Sequence, residues 1–125
     1  MLRKCIIVFV LGLLIAAPAS ARKYGDDTMF ISPKMFVLDY QGSRLTVHTE
    51  VAFGDVDRDT LELHGVDGAT IAPVFVKPDL RGNLVAKFAA DDVRMIVLPP
   101  RTELTLTGLY KDGESFSLHA TIRVK

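Results

Sequence analysis

Two runs near the C-terminus decide the fold: Glu103-Leu104-Thr105-Leu106-Thr107-Gly108-Leu109-Tyr110 and Ser115-Phe116-Ser117-Leu118-His119-Ala120-Thr121-Ile122-Arg123-Val124. In the second, every other residue from Phe116 to Val124 is apolar, and Leu104 and Leu106 keep the same beat in the first. Side chains of an extended strand point alternately to opposite faces, so this period sets one face on a core and the other in water. Lys111-Asp112-Gly113-Glu114 lies between them and carries an Asp-Gly pair that accepts positive φ, which predicts a hairpin. Leu109 falls on the nominally polar face.

The pattern extends toward the N-terminus. In Arg44-Leu45-Thr46-Val47-His48-Thr49-Glu50-Val51, the residues Leu45, Val47, Thr49 and Val51 share one face. Shorter strands are predicted over residues 28–31 and 35–38, which flank Ser32-Pro33 as one split edge strand, and over 60–64 and 84–88. A further strand over 71–76 is interrupted by Pro73, which marks an edge because proline has no ladder donor. Asp79-Leu80-Arg81-Gly82-Asn83 reads as a turn. Residues 89–96 break the period and predict one or two helical turns, with Asp91 as N-cap and Pro99-Pro100 as the stop. About seven short strands and one helical turn in roughly 100 residues predict an all-β fold, a two-sheet antiparallel sandwich in a single domain over residues 22–125, with a small closed barrel as the competing topology.

Residues 1–21 read differently. Arg3 and Lys4 precede a nearly unbroken apolar run over 6–17, and Ala19-Ser20-Ala21 ends it with small residues. This is the pattern of a cleaved secretory signal, with the cut expected between Ala21 and Arg22. The run is shorter than the ~20 residues a membrane-spanning helix needs. Over the whole chain, 49% of residues are hydrophobic and the formal charge is zero; without residues 1–21, the remaining 104 are 43% hydrophobic with a net charge of −2. The expectation is an exported protein, periplasmic or released, with no membrane insertion after cleavage. That charge gives no drive toward nucleic acid. Cys5 is the only cysteine and precedes the apolar run, so it is not placed for lipidation, and residues 22–125 hold no thiol or disulfide chemistry.

The order of these segments resembles a known family. Ile31-Ser32-Pro33, Leu38, Gly42, the 45–51 run, Asp55-Val56-Asp57, Asp59-Thr60-Leu61-Glu62-Leu63, Leu84-Val85-Ala86-Lys87-Phe88, the 103–108 run, Lys111-Asp112-Gly113, Phe116 and Ala120-Thr121-Ile122-Arg123-Val124 carry the resemblance. Together they are similar to an immunoglobulin-like module that recurs in secreted and surface multidomain proteins of bacteria and archaea. The resemblance implies an immunoglobulin-like sandwich acting as an accessory interaction domain. Copies of that module often hold an acidic D-x-D-G-D-G-x-x-D loop where this chain has Asp79-Leu80-Arg81-Gly82-Asn83. With Asp79, Gly82 and Asn83 alone retained and Arg81 among them, the resemblance carries no calcium site over.

Other chemistry is weighed on the residues themselves. Asp55, Asp57 and Asp59 have the 1-3-5 spacing of a calcium loop, but Thr60 and Val66 stand where the sixth-position glycine and twelfth-position glutamate belong. The alternative is a turn whose aspartates are solvated or bond backbone amides. His48 and His119 lie on outward strand positions and make a two-histidine metal pair if their strands neighbour each other on one sheet. Gly113-Glu114-Ser115-Phe116-Ser117 is half of a G-x-S-x-G motif on a hairpin, and no phosphate loop or dinucleotide fingerprint occurs. Tyr24, Met29, Phe30 and Tyr40 near the split edge strand, with Leu109, form a candidate apolar docking patch, and the 71–76 edge a candidate for strand addition. The sequence therefore predicts a non-catalytic structural or interaction module without cofactor, with an unidentified protein as partner. A metal-binding periplasmic protein using His48, His119 or the Asp55, Asp57 and Asp59 cluster is the alternative.

Overall fold

The computed structural model describes residues 29–39 and 44–125. The expected signal over 1–21, the expected start at Arg22, and Tyr24, Tyr40 and Gly42 lie outside the described residues. The chain forms an all-β sandwich of two sheets. In chain order the strands are β1 (Phe30–Ser32), β2 (Met35–Phe36), β3 (Arg44–Ala52), β4 (Val56–His64), β5 (Thr70–Ile71), β6 (Phe75–Pro78), β7 (Asn83–Ala89), β8 (Arg101–Tyr110) and β9 (Ser115–Val124). A short helix, α1 (Ala90–Arg94), links β7 to β8. One sheet has the order β1-β3-β7-β6 and the other β2-β9-β8-β4-β5.

Alternation builds the core as expected. Leu45, Val47, Thr49 and Val51 of β3, Leu104 and Leu106 of β8, and Phe116, Leu118, Ile122 and Val124 of β9 are buried, while their neighbours face out. The hairpin between β8 and β9 closes with the Gly113 amide donating to the Tyr110 carbonyl and the Tyr110 amide to the Glu114 carbonyl. Gly113 takes the left-handed φ of 97° that this turn requires. Asp112 Oδ1 accepts the Glu114 amide, fixing the turn.

Three details differ from the sequence reading. Nine strands occur among the described residues instead of about seven, because both proline-interrupted segments change sheets. β1 pairs with β3, but beyond Pro33 β2 pairs with β9, and it does so in parallel. β5 pairs with β4, but beyond Pro73 β6 pairs with β7. A proline ends a ladder whether the chain then rejoins the same sheet or crosses to the other. Second, Asp91 is not the helix N-cap: Ala89 holds that position without a side-chain bond, and Asp91 instead pairs with Arg94 at 2.6 Å. Third, β4 begins at Val56, so Asp57 and Asp59 lie within a strand.

Two interior strands, one in each sheet, are bulged, and a threonine bridges each bulge. On β3, Thr49, Glu50 and Val51 face Leu84 alone. The buried Thr49 hydroxyl donates to the Leu84 carbonyl (2.9 Å) and accepts the Val51 amide (3.1 Å), two groups the slipped ladder leaves over. On β4, residues 58–61 face Gly108 alone. There the Thr60 hydroxyl donates to the Asp57 carbonyl (2.7 Å) and accepts the Leu109 amide (2.8 Å).

Candidate functional site: the loop end of the sandwich

The β3–β4, β6–β7 and β8–β9 connections emerge at the same end of the sandwich, because each follows a strand running toward that end. Backbone hydrogen bonds tie them in sequence. The Phe53 amide donates to the Gly82 carbonyl at 2.9 Å, and the Lys111 amide to the Asp55 carbonyl at 2.8 Å. The first bond joins the 53–55 turn to the β6–β7 loop, and the second joins it to the hairpin tip. Loops drawn from both sheets are thus held as one surface.

Each loop is also ordered internally. Asp79 Oδ1 accepts the amides of Arg81 (2.8 Å) and Asn83 (2.9 Å). The Asn83 amide foremost, with the amide and charge of Arg81, holds the Asp79 carboxyl below the usual carboxylate range. Fixing this turn thrusts Leu80 fully into solvent. Between the first and third loops lies an open depression of about 370 Å³ lined by Phe53, Gly54, Val56, Asp57, Arg58, Asp59 and Lys111. The Arg58 guanidinium sits over the Phe53 ring, 5.6 Å from its centre, stiffening one wall by cation–π attraction. The surface joins the half-buried Phe53 ring, the exposed Leu80, the cations Arg58, Arg81 and Lys111, and the carboxylates of Asp55, Asp57, Asp59 and Asp79. Such a mixture suits recognition of a polypeptide with both apolar and charged groups.

The sequence candidates fall as follows. Asp57 turns its carboxylate back on the Asp59 amide (3.3 Å), a local backbone bond at the start of the bulge. Asp55 belongs to the 53–55 turn. Among the described residues no group of three or more His, Cys, Asp or Glu converges on a metal-sized space. His48 and His119 do not share a sheet: His48 is on β3 and His119 on β9, so two layers of side chains separate them. The histidines that do share a face are His64 and His119, on either side of Thr105 in register. His119 Nδ1 lies 3.2 Å from Thr105 Oγ1, and His64 Nε2 lies 2.9 Å from Thr107 Oγ1 and 3.8 Å from a Glu62 oxygen. Each imidazole is thereby engaged in its own sheet-surface contact.

The proposed apolar patch divides. Met29 is buried in the core, whereas Phe30 is exposed beside His48 on the outer face of the four-stranded sheet. Leu109 is partly exposed on the outer face of the five-stranded sheet. Sequence reasoning passed over Leu80, Phe53 and Arg58. A leucine in a polar turn was the available signal, but convergence of the three loops follows from topology alone. No helix among the described residues is long and apolar enough to cross a membrane. Compared with protein-family models, curated proteins and solved structures, the chain gives no match.

Proposed function

We propose that this chain is an exported, immunoglobulin-like interaction module that engages a protein partner through its loop end and has no catalytic role. The observation carrying the reading is the latched surface itself: Phe53–Gly82 and Asp55–Lys111 backbone bonds pre-order three loops around Leu80, Phe53 and Arg58. Pre-ordering matters because a surface already fixed loses little conformational entropy on binding. The strand order supports the immunoglobulin-like part, since β1-β3-β7-β6 against β9-β8-β4 follows the ABED-against-GFC arrangement of such sandwiches. In that architecture the loops at one end commonly form the recognition surface. The three-part pattern of residues 1–21 supports export.

Affinity capture from native envelope extracts tests the binding role. A partner retained by the wild-type chain is expected to be lost with Leu80→Ser/Arg58→Glu and kept with Glu103→Gln, an exposed position on β8 away from the loop end. Equal capture by all three contradicts the assignment of the loop end. N-terminal sequencing of the accumulated protein is expected to begin at Arg22, and a chain that keeps Met1 contradicts export by cleavage.

A further inference from the structure

We propose that β9 joins a second copy of this chain, edge to edge and antiparallel, to form a two-fold dimer with one continuous sheet. β9 is ten residues long, yet β2 covers only Arg123 and Val124 of its outer edge. No described strand pairs with that edge over residues 115–122.

The hydrogen-bond pattern shows which groups the edge presents. Tyr110 N–H reaches the Glu114 carbonyl and Val124 N–H the Pro100 carbonyl, so even-numbered residues direct their backbone groups toward β8. Arg123 N–H reaches Lys34 and Lys125 N–H reaches Phe36, so odd-numbered residues direct theirs the other way. Ser115, Ser117, His119 and Thr121 therefore turn both N–H and C=O to the open edge.

Sheet proteins usually blunt such an edge with charge, proline, a bulge or brevity. The other described edges are blunted: β6 is four residues carrying Lys77 and Pro78, β1 is three residues ending before Pro33, and β5 is two. Ser115-Phe116-Ser117-Leu118-His119-Ala120-Thr121-Ile122 has no proline, carboxylate, lysine or arginine, and its pairing with β8 is unbroken.

The sequence of β9 selects a copy of itself as occupant. Lys111, Asp112 and Glu114 precede the strand with a net charge of −1, and Arg123 and Lys125 end it with +2, so antiparallel self-pairing sets a net acidic end beside the other copy's basic end. Backbone parity and the position of β2 fix the register, with Leu118 on the two-fold axis. Ser115 then opposes Thr121 and Ser117 opposes His119, four pairs exchanging about eight backbone bonds. On the inner face, bulky Phe116 meets small, half-buried Ala120. A register one step further on would set His119 against His119.

Sedimentation velocity on the chain, purified in the form in which cells accumulate it, tests the proposal. Wild type is expected to move from protomer to twice the protomer mass with concentration. Ser117→Lys is expected to raise the dissociation constant at least about tenfold through charge on the edge, and His119→Pro to do the same by deleting an edge donor that β8 does not use. Ser115→Cys/Thr121→Cys is expected to give a covalent dimer on oxidation, with either single change giving none, which reports register even if one variant folds poorly. A wild-type protomer at every concentration, as when residues 22–28 or another protein occupy the edge, overturns the proposal. So does a dimer indifferent to both edge variants. Loss of capture through Leu80 leaves these readouts unchanged, so the two assignments fail separately.

Discussion

At the end of the sandwich where α1 lies, the chain is closed by buried apolar packing. Val93, Ile96 and Val97 are buried, and the Val66 amide donates to the Ile96 carbonyl at 2.9 Å. Gly65 passes so close that a Cβ there would lie 2.0 Å from that carbonyl oxygen. The Thr102 hydroxyl accepts the Leu98 amide and donates to the Leu98 carbonyl, sealing the strand that leaves. At the opposite end Val51, Val56, Tyr110 and Phe116 are buried and Phe53 is half-buried against the core, two interloop backbone bonds join the loops, and Leu80, Arg58 and Lys111 face outward. Both ends bury apolar side chains; the α1 end adds a close backbone approach at Gly65, and the loop end adds outward aliphatic and charged groups. The two ends thus differ in what lies over the core: a packed apolar turn at one, and loops joined by backbone bonds at the other.

The difference can be broken first where it is largest. Ile96→Ala is expected to destabilise the protein by about 2–5 kcal/mol in urea unfolding, through lost burial and a cavity. Gly65→Ala follows at about 1–3 kcal/mol, because the atom it meets is rigid backbone. The two bridging threonines sharpen the contrast. Thr49→Val, which strands a buried carbonyl and amide, is expected to cost about 1–3 kcal/mol. Thr60→Val at the exposed bulge beside the loop end is expected to cost less than about 1 kcal/mol, since water takes over its partners. Equal losses at the two sites would remove the distinction between a dry and a wet bulge.

A smaller effect is read by pH. The Asp79 carboxyl titrates lower in the folded chain than in the unfolded one, so its contribution is present above the unfolded value and lost as pH falls through the folded value. The stability difference between wild type and Asp79→Asn is expected to be largest near neutrality and to shrink between about pH 5 and pH 2. A pH-independent difference would place the effect outside this carboxylate. Smallest of all, Leu80→Ser is expected to change stability by no more than about 0.5 kcal/mol, as for a side chain without packed neighbours.

Much of this architecture is legible in sequence where one strand buries one face. β3, β8 and β9 follow their alternation residue by residue, and the Asp-Gly turn follows from its chemistry. Pro33 and Pro73 were correctly breaks, but proline reports only a missing donor, and the sheet the chain joins next depends on distant strands. The bulge in β4 hid half a strand. With Asp57, Arg58 and Asp59 all exposed, the period of two is absent where the register slips. The aspartate spacing that suggested a calcium loop runs from the 53–55 turn through Asp57 to Asp59 in this bulge. At the loop end, the neighbouring residues come from three segments far apart in the chain, and no local pattern links Phe53, Leu80 and Lys111.

The assignment of recognition to the loop end is tested most directly by site-specific photocrosslinking in cells that naturally make the protein. One photoreactive residue replaces Leu80, and another replaces Met95, which is also exposed, at the packed end. A discrete adduct with one protein from position 80, and none from position 95, is the predicted result. An adduct from position 95 with none from position 80 would contradict the account.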